Sequence, residues 1–128
     1  MSHWVNKYIG LKWSKEYNCF DHFCQVQKEV FHRDIKKIPD LPDIKHRKEA
    51  ISYCKGSSDL FMDIPYNTRS EGDAVVFGTE GFTFHIGTYI ESFGVCGVLH
   101  CDKFMGVMVL SMQSIRNRGT EFHFMRIL

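Results

Sequence analysis

The chain has 128 residues, 44% of them hydrophobic and 14% aromatic, and carries a formal charge of +1. A chain of that length builds a core without disulfide or metal support, so one domain over residues 1–128 is expected. The composition excludes a disordered chain and one drawn to polyanions by bulk charge, and function is therefore to be sought in a site.

No stretch approaches the roughly 18 consecutive apolar residues that would span a bilayer. The opening Met1-Ser2-His3-Trp4-Val5-Asn6-Lys7 lacks the basic start and apolar core of a secretory signal. Synthesis in the cytoplasm without a signal peptide is the expectation. Five cysteines, Cys19, Cys24, Cys54, Cys96 and Cys101, make an odd count that points to reduced thiols rather than a disulfide framework.

Residues 1 to 10 read as a short helix carrying Trp4, Val5, Tyr8 and Ile9 and ended by Gly10. Leu11 to Tyr17 follows as a loop that delivers Trp13 just ahead of Cys19. From Cys19 to about His32, apolar Phe20, Phe23, Cys24, Val30 and Phe31 recur at helical spacing, as does Gln27, which the apolar stripe leaves out. Asn18 is a good N-cap, and Asp21 can complete a capping box.

Between Arg33 and Gly72 the signals weaken. Pro39 and Pro42 mark a turn-rich crossing, and Ile44 to Tyr53 reads as a second helix. Lys36, Lys37, Lys45, Arg47 and Lys48 are interspersed with Asp34, Asp40, Asp43 and Glu49, the pattern of a solvated helix face rather than a nucleic-acid patch.

Beyond Gly72 the pattern changes to strands. Gly72 to Gly78 is a short apolar run. Phe82 to Ser92 alternates, with Phe82, Phe84, Ile86 and Ile90 on one face and Thr83, His85, Gly87, Tyr89 and Glu91 on the other. Ser92-Phe93-Gly94 reads as a tight hairpin loop, and Val95 to Asp102 as the returning strand. Pairing across that loop sets His85 opposite His100 or Cys101, and Gly87 leaves room for a helix to pack. Gly106 to Leu110 is a further strand, Ser111 to Arg118 a polar turn or helix, and Thr120 to Leu128 a last strand. Helices first and an antiparallel sheet afterwards make the class α+β.

A thiol in the first turn of a helix faces unpaired N–H groups and the positive end of the dipole, which favour thiolate. An activated nucleophile also needs a base in reach and a third group to orient that base. Cys19, with His85 on the sheet the helix covers and His100 on the adjoining strand, meets that requirement. Taken singly, each residue has a plainer reading: a small buried hydrophobe for the cysteine, a hydrogen-bonded or surface group for each histidine. His22, a turn beyond Cys19, is expected to face solvent, and Cys24 to lie in the core. Cys19, His22, Cys24, Cys96, His100 and Cys101 are zinc-ligand types, but no Cys-x-x-Cys or His-x-x-x-His occurs, and adjacent His100 and Cys101 point to opposite faces of a strand. No metal site is expected.

Several segments resemble motifs of the NlpC-type cysteine peptidases, papain-like enzymes of bacterial cell-wall turnover, and especially the compact forms carried by phage tails. Tyr8-Ile9-Gly10-Leu11-Lys12-Trp13 is similar to that family's entry segment, and Asn18-Cys19-Phe20-Asp21-His22-Phe23 to its nucleophile helix. Gly72-Asp73-Ala74-Val75-Val76-Phe77, His85-Ile86-Gly87-Thr88-Tyr89-Ile90 and Val98-Leu99-His100-Cys101 resemble its three strand motifs. Gly106-Val107 and the tail Phe122 to Arg126 resemble the phage-type ending.

The resemblance implies a papain-like fold, with Cys19 as nucleophile, His85 as base and His100 as the third polar residue. It implies hydrolysis of an amide bond in peptidoglycan stem peptides, typically between D-glutamate and a diamino acid, with no metal or organic cofactor. Trp13 aligns with the family's entry tyrosine, and its indole N–H would help bind the oxyanion or substrate. Asp21 stands where the family has glycine and Asn18 where it has aspartate; both reshape the cleft beside the nucleophile. The implied partners are the peptidoglycan peptide and phage tail proteins, and the implied place of action is the cell wall, reached with a virion or lysis machinery; from the charge pattern and the lack of a spanning stretch, neither a nucleic-acid nor a membrane partner is expected. The two departures also motivate an alternative, a catalytically inactive structural or binding module of a tail.

Overall fold

Helix α1 spans Cys19–Phe31 in a computed structural model that describes residues 4–33, 61–78, 85–91, 96–117 and 121–127, position 85 by its backbone. Its start is fixed as the sequence reads. Asn18 Oδ1 accepts the N–H of Phe20 and of Asp21, each at 3.0 Å, and Asp21 Oδ2 accepts the N–H of Asn18 at 3.2 Å, a reciprocal capping box. The helix ends where His32 turns left-handed (φ 58°, ψ 36°) and returns its N–H to Gln27 O.

The buried face of α1 is Phe20, His22, Phe23, Val26 and Gln27. Phe20 and Phe23 lie where the apolar spacing puts them, but Cys24, Val30 and Phe31 are only half-buried at the margin. The stripe centres instead on Val26 and on Gln27, which the apolar pattern leaves out. Gln27 is buried because it has partners: its Nε2 donates to Gly72 O at 3.0 Å and Thr88 Oγ1 at 3.3 Å, and its Oε1 accepts from Arg33 Nη1 at 3.1 Å. Gln27→Leu should destabilise the fold by roughly 1–3 kcal/mol, because it strands those partners without removing their need for a bond. Urea titration checks this, and a Gln27→Leu chain as stable as the parent would show the bonds to be dispensable.

The remaining elements form one antiparallel sheet. In chain order they are β1 (Phe61–Ile64), β2 (Ala74–Gly78), β3 (His85–Ile90), β4 (Gly97–Asp102), β5 (Gly106–Ser111), the short helix α2 (Met112–Asn117) and β6 (Glu121–Ile127), and the spatial strand order is β1-β6-β2-β3-β4-β5. The class is therefore α+β, six antiparallel strands with two helices among the described residues. The N-terminal helix is a single 3-10 turn at Trp4–Lys7. Edge strand β1 has no counterpart in the sequence reading; its four residues are too few to show a period, and Met62 and Asp63 face solvent. The expected helix over 44–53, the loop at 92–94 and positions 82–84 lie outside the described residues.

Both faces of the sheet are covered. On one side α1 and the N-terminal segment bury Ile90, Leu99, Cys101 and Val107 with Val5, Tyr8 and Val26. On the other, Met112 and Ile115 of α2 join Val75, Phe77, Tyr89, Val98 and Phe124. Double coverage explains why β2 reads as a continuous apolar run rather than an alternation. The Gly72-Asp73 pair has a structural role: Asp73 is buried and takes both Arg126 Nε (3.0 Å) and Arg126 Nη2 (3.1 Å), fixing β6 to the start of β2.

Candidate active site

Cys19 is the first residue of α1 and is half-buried. Burial is the largest influence on its acidity and pushes the thiol above its ordinary range. The backbone N–H groups of Ile86, of Phe20 and of Cys19 itself pull the other way, and the Asp21 carboxylate adds to the rise. The helix start does supply the expected N–H groups, but desolvation outweighs them, and the balance favours the thiol rather than the expected thiolate.

The N–H of Ile86 reaches Cys19 because the β3–β4 ladder ends early. Pairing runs from Ile90↔Gly97 to Gly87↔His100 and stops, although β3 continues back to His85 and β4 on to Asp102. The N-terminus of α1 stands against this open end, with the Cys19 sulfur beside the residue that follows position 85.

Position 85 opens β3 in register with Phe77 of β2. His100 is 4% exposed, and its ring meets Phe77 edge-on at 5.2 Å between centroids. The observed register pairs His100 with Gly87, not with position 85. Among the described residues the ladder runs up to Ile90↔Gly97, and that register stands two residues away from one that would pair position 85 with His100. A shift of two residues preserves the face: positions 85 and 100 lie on the same side, diagonal across Gly87, where Cα atoms stand about 7–8 Å apart. Gly87 makes room for this crossing of strands, not for a helix; α1 packs on the opposite face, so positions 85 and 100 lie on the side of the sheet that the helix of Cys19 does not cover, contrary to expectation.

Cys101 faces α1, opposite to His100, as strand alternation requires. Its Sγ donates to Tyr17 O at 3.8 Å, and burial first, then Cys19 and Asp102, push its thiol up to about 11. The structure thus brings Cys19 against Ile86 and Cys101, and His100 against Phe77. Trp13 is half-buried beside the Tyr8, Val26 and Cys101 cluster, with Lys103 Nζ 5.6 Å from its ring centroid. Asp21 sits beside Cys19, its carboxylate engaged in the capping box. Among the described residues no three His, Cys, Asp or Glu side chains gather as a metal site.

His22 corrects the sequence reading. It is 1% exposed rather than solvent-facing, with Nδ1 2.8 Å from Tyr17 Oη, and its ring meets Tyr8 and Tyr17 edge-on, each at 5.7 Å. Tyr8 in turn donates to Glu29 Oε1 at 2.6 Å. Burial lowers the His22 pKa from 6.5 to about 4. The unfolded chain therefore takes up a proton below pH 6.5 that the folded chain resists until about 4, so stability falls as pH drops through that window, by roughly 3 kcal/mol from this group. His22→Gln should flatten the urea-midpoint profile between pH 7 and 4, and parallel profiles for the two chains would remove His22 as the cause.

Comparison with known proteins adds no family: the chain matches no protein-family model, and no curated protein matches it.

Proposed function

We propose that the chain is a cysteine amidohydrolase or endopeptidase of papain-like fold that cleaves an amide bond in peptidoglycan stem peptides, with the bond between D-glutamate and a diamino acid as the first substrate to try. The observation that carries the reading is the seat of Cys19, a thiol at a capped helix start, against the open end of a strand pair next to position 85. On this reading the proton of the Cys19 thiol passes around the open end of the β3–β4 pair to His85, whose position lies on the sheet face away from α1, as the sulfur attacks the carbonyl, and is then returned to the leaving amine; water resolves the acyl-enzyme. His100, diagonal to position 85, orients that base. The oxyanion is received by the Cys19 N–H and the Trp13 indole. Resemblance to phage-tail forms gives the setting: a virion or lysis product acting at the cell wall.

A second reading is a non-catalytic module of a tail on the same scaffold. It is favoured by the placement of positions 85 and 100 on the sheet face away from α1, by the packing of His100 onto core residue Phe77 and by the burial that raises the pKa of Cys19. Digestion of purified muropeptides of defined stem composition, followed by mass spectrometry, separates the two. New amine and carboxyl termini support the hydrolase, and intact muropeptides over the whole pH range leave the module.

A further inference from the structure

Five large hydrophobic side chains are exposed among the described residues, and four of them, Ile9, Leu11, Phe104 and Met105, lie on two segments joined backbone to backbone. Val107 N donates to Leu11 O at 2.8 Å and Gly10 N to Val107 O at 3.1 Å. Gly106, at φ +75°, has no side chain where Leu11 O approaches, so the two segments sit flush. The tip between β4 and β5 is built rather than frayed: Asp102 Oδ2 accepts the N–H of Phe104 at 2.9 Å and of Met105 at 2.8 Å. That turn holds Phe104 89% and Met105 72% exposed. Residues 9–15 and 103–106 also carry Lys12, Lys15 and Lys103 and no acidic residue. Of the carboxylates that flank these stretches, Asp102 is occupied by the turn and Glu16 stands at the far end of its segment.

We propose that this edge is a docking surface for an anionic lipid bilayer, with Phe104 and Met105 entering the headgroup–acyl boundary and the three lysines held at the phosphate level. Two large apolar side chains displayed on an exposed, hydrogen-bonded turn suit a deformable apolar phase, and a predominantly cationic rim suits a negative surface. Among the described residues no helix is long and apolar enough to cross a membrane, and docking at its surface needs none. The inference does not rest on the hydrolase reading.

Sedimentation of the full chain with vesicles of phosphatidylglycerol and phosphatidylcholine, against phosphatidylcholine alone, tests it. Binding is expected to the anionic vesicles only, to weaken as salt is raised, and to fall at least about tenfold in Phe104→Ser/Met105→Ser. Lys12→Gln/Lys15→Gln should weaken it about tenfold or more at low salt, since each lysine near such a surface contributes about 1 kcal/mol. None of these four residues belongs to the candidate active site or to the core, so circular dichroism should be unchanged. Failure of the parent chain to sediment with anionic vesicles, equal binding to neutral ones, or undiminished binding by the serine pair would each overturn the proposal. Self-association abolished by the serine pair, with no vesicle binding, would reassign the edge to a protein contact.

Discussion

Cys19→Ala should reduce muropeptide hydrolysis by about 10⁴-fold or more while leaving the fold intact, because removing the nucleophile of a cysteine or serine hydrolase leaves only binding and oxyanion contacts. The substitution takes away one sulfur from a half-buried site whose capping bonds come from Asn18 and Asp21, so melting should change little. The pH dependence of alkylation then tests how the thiol is activated. Burial, with a smaller contribution from the Asp21 carboxylate, pushes Cys19 above its ordinary range, and without a base it would react with iodoacetamide at higher pH than an ordinary thiol. If His85 shares its proton, labelling of Cys19 should begin below neutral pH and precede that of the other four thiols. In His85→Ala the onset should move to alkaline pH. Hydrolysis that survives in Cys19→Ala, or alkylation of the parent with the alkaline profile of the His85 variant, would end the mechanism.

How much of this arrangement the sequence displays depends on whether a residue's position follows from neighbours or from distant partners. The capping box at Asn18 and Asp21 is legible because both ends lie within one turn. The strands over 74–78, 85–90, 97–102 and 106–111 are legible from glycine punctuation and apolar runs. The buried face of α1 escapes a reading by apolar residues alone. Cys19, His22, Phe23, Val26 and Gln27 follow the spacing i, i+3, i+4, i+7, i+8, so the period is present, written partly in polar letters. What makes those letters acceptable inside, Tyr17 for His22 and Thr88 with Gly72 for Gln27, is 5 to 61 residues away. The β3–β4 register differs from expectation for a related reason: it is a property of two strands together, and neither strand's own residues report the pairing Ile90↔Gly97. Strand alternation returns positions 85 and 100 to one face despite the two-residue shift, and the same alternation turns that face away from α1.

Gly87→Ala is the substitution from which the largest loss of stability is expected, and it also bears on the site. A Cβ at this position would fall 2.5 Å from Val98 Cγ1, 2.6 Å from Leu99 O and 3.0 Å from His100 Cβ. Val98 is fully buried against α2 and the aromatic cluster, so its methyl cannot turn aside into open space. Leu99 O belongs to the β4 backbone, which is held on its far side by the continuous β4–β5 ladder from Gly97↔Ser111 to Asp102↔Gly106. The added methyl therefore has to separate β3 from β4. That should cost about 3 kcal/mol and lower the melting temperature by roughly 10 °C in a chain of this size. The separation would occur at the pair Gly87↔His100, between the two positions assigned as base and orienting group, so the fraction that stays folded should also lose most of its hydrolytic rate. Serine at 87 should behave like alanine, whereas Thr88→Ser, one residue on and facing α1, should spare the rate. A Gly87→Ala chain melting within about 2 °C of the parent would show that the strands can part without strain. In that case the diagonal placement of 85 and 100 would not be enforced by the fold.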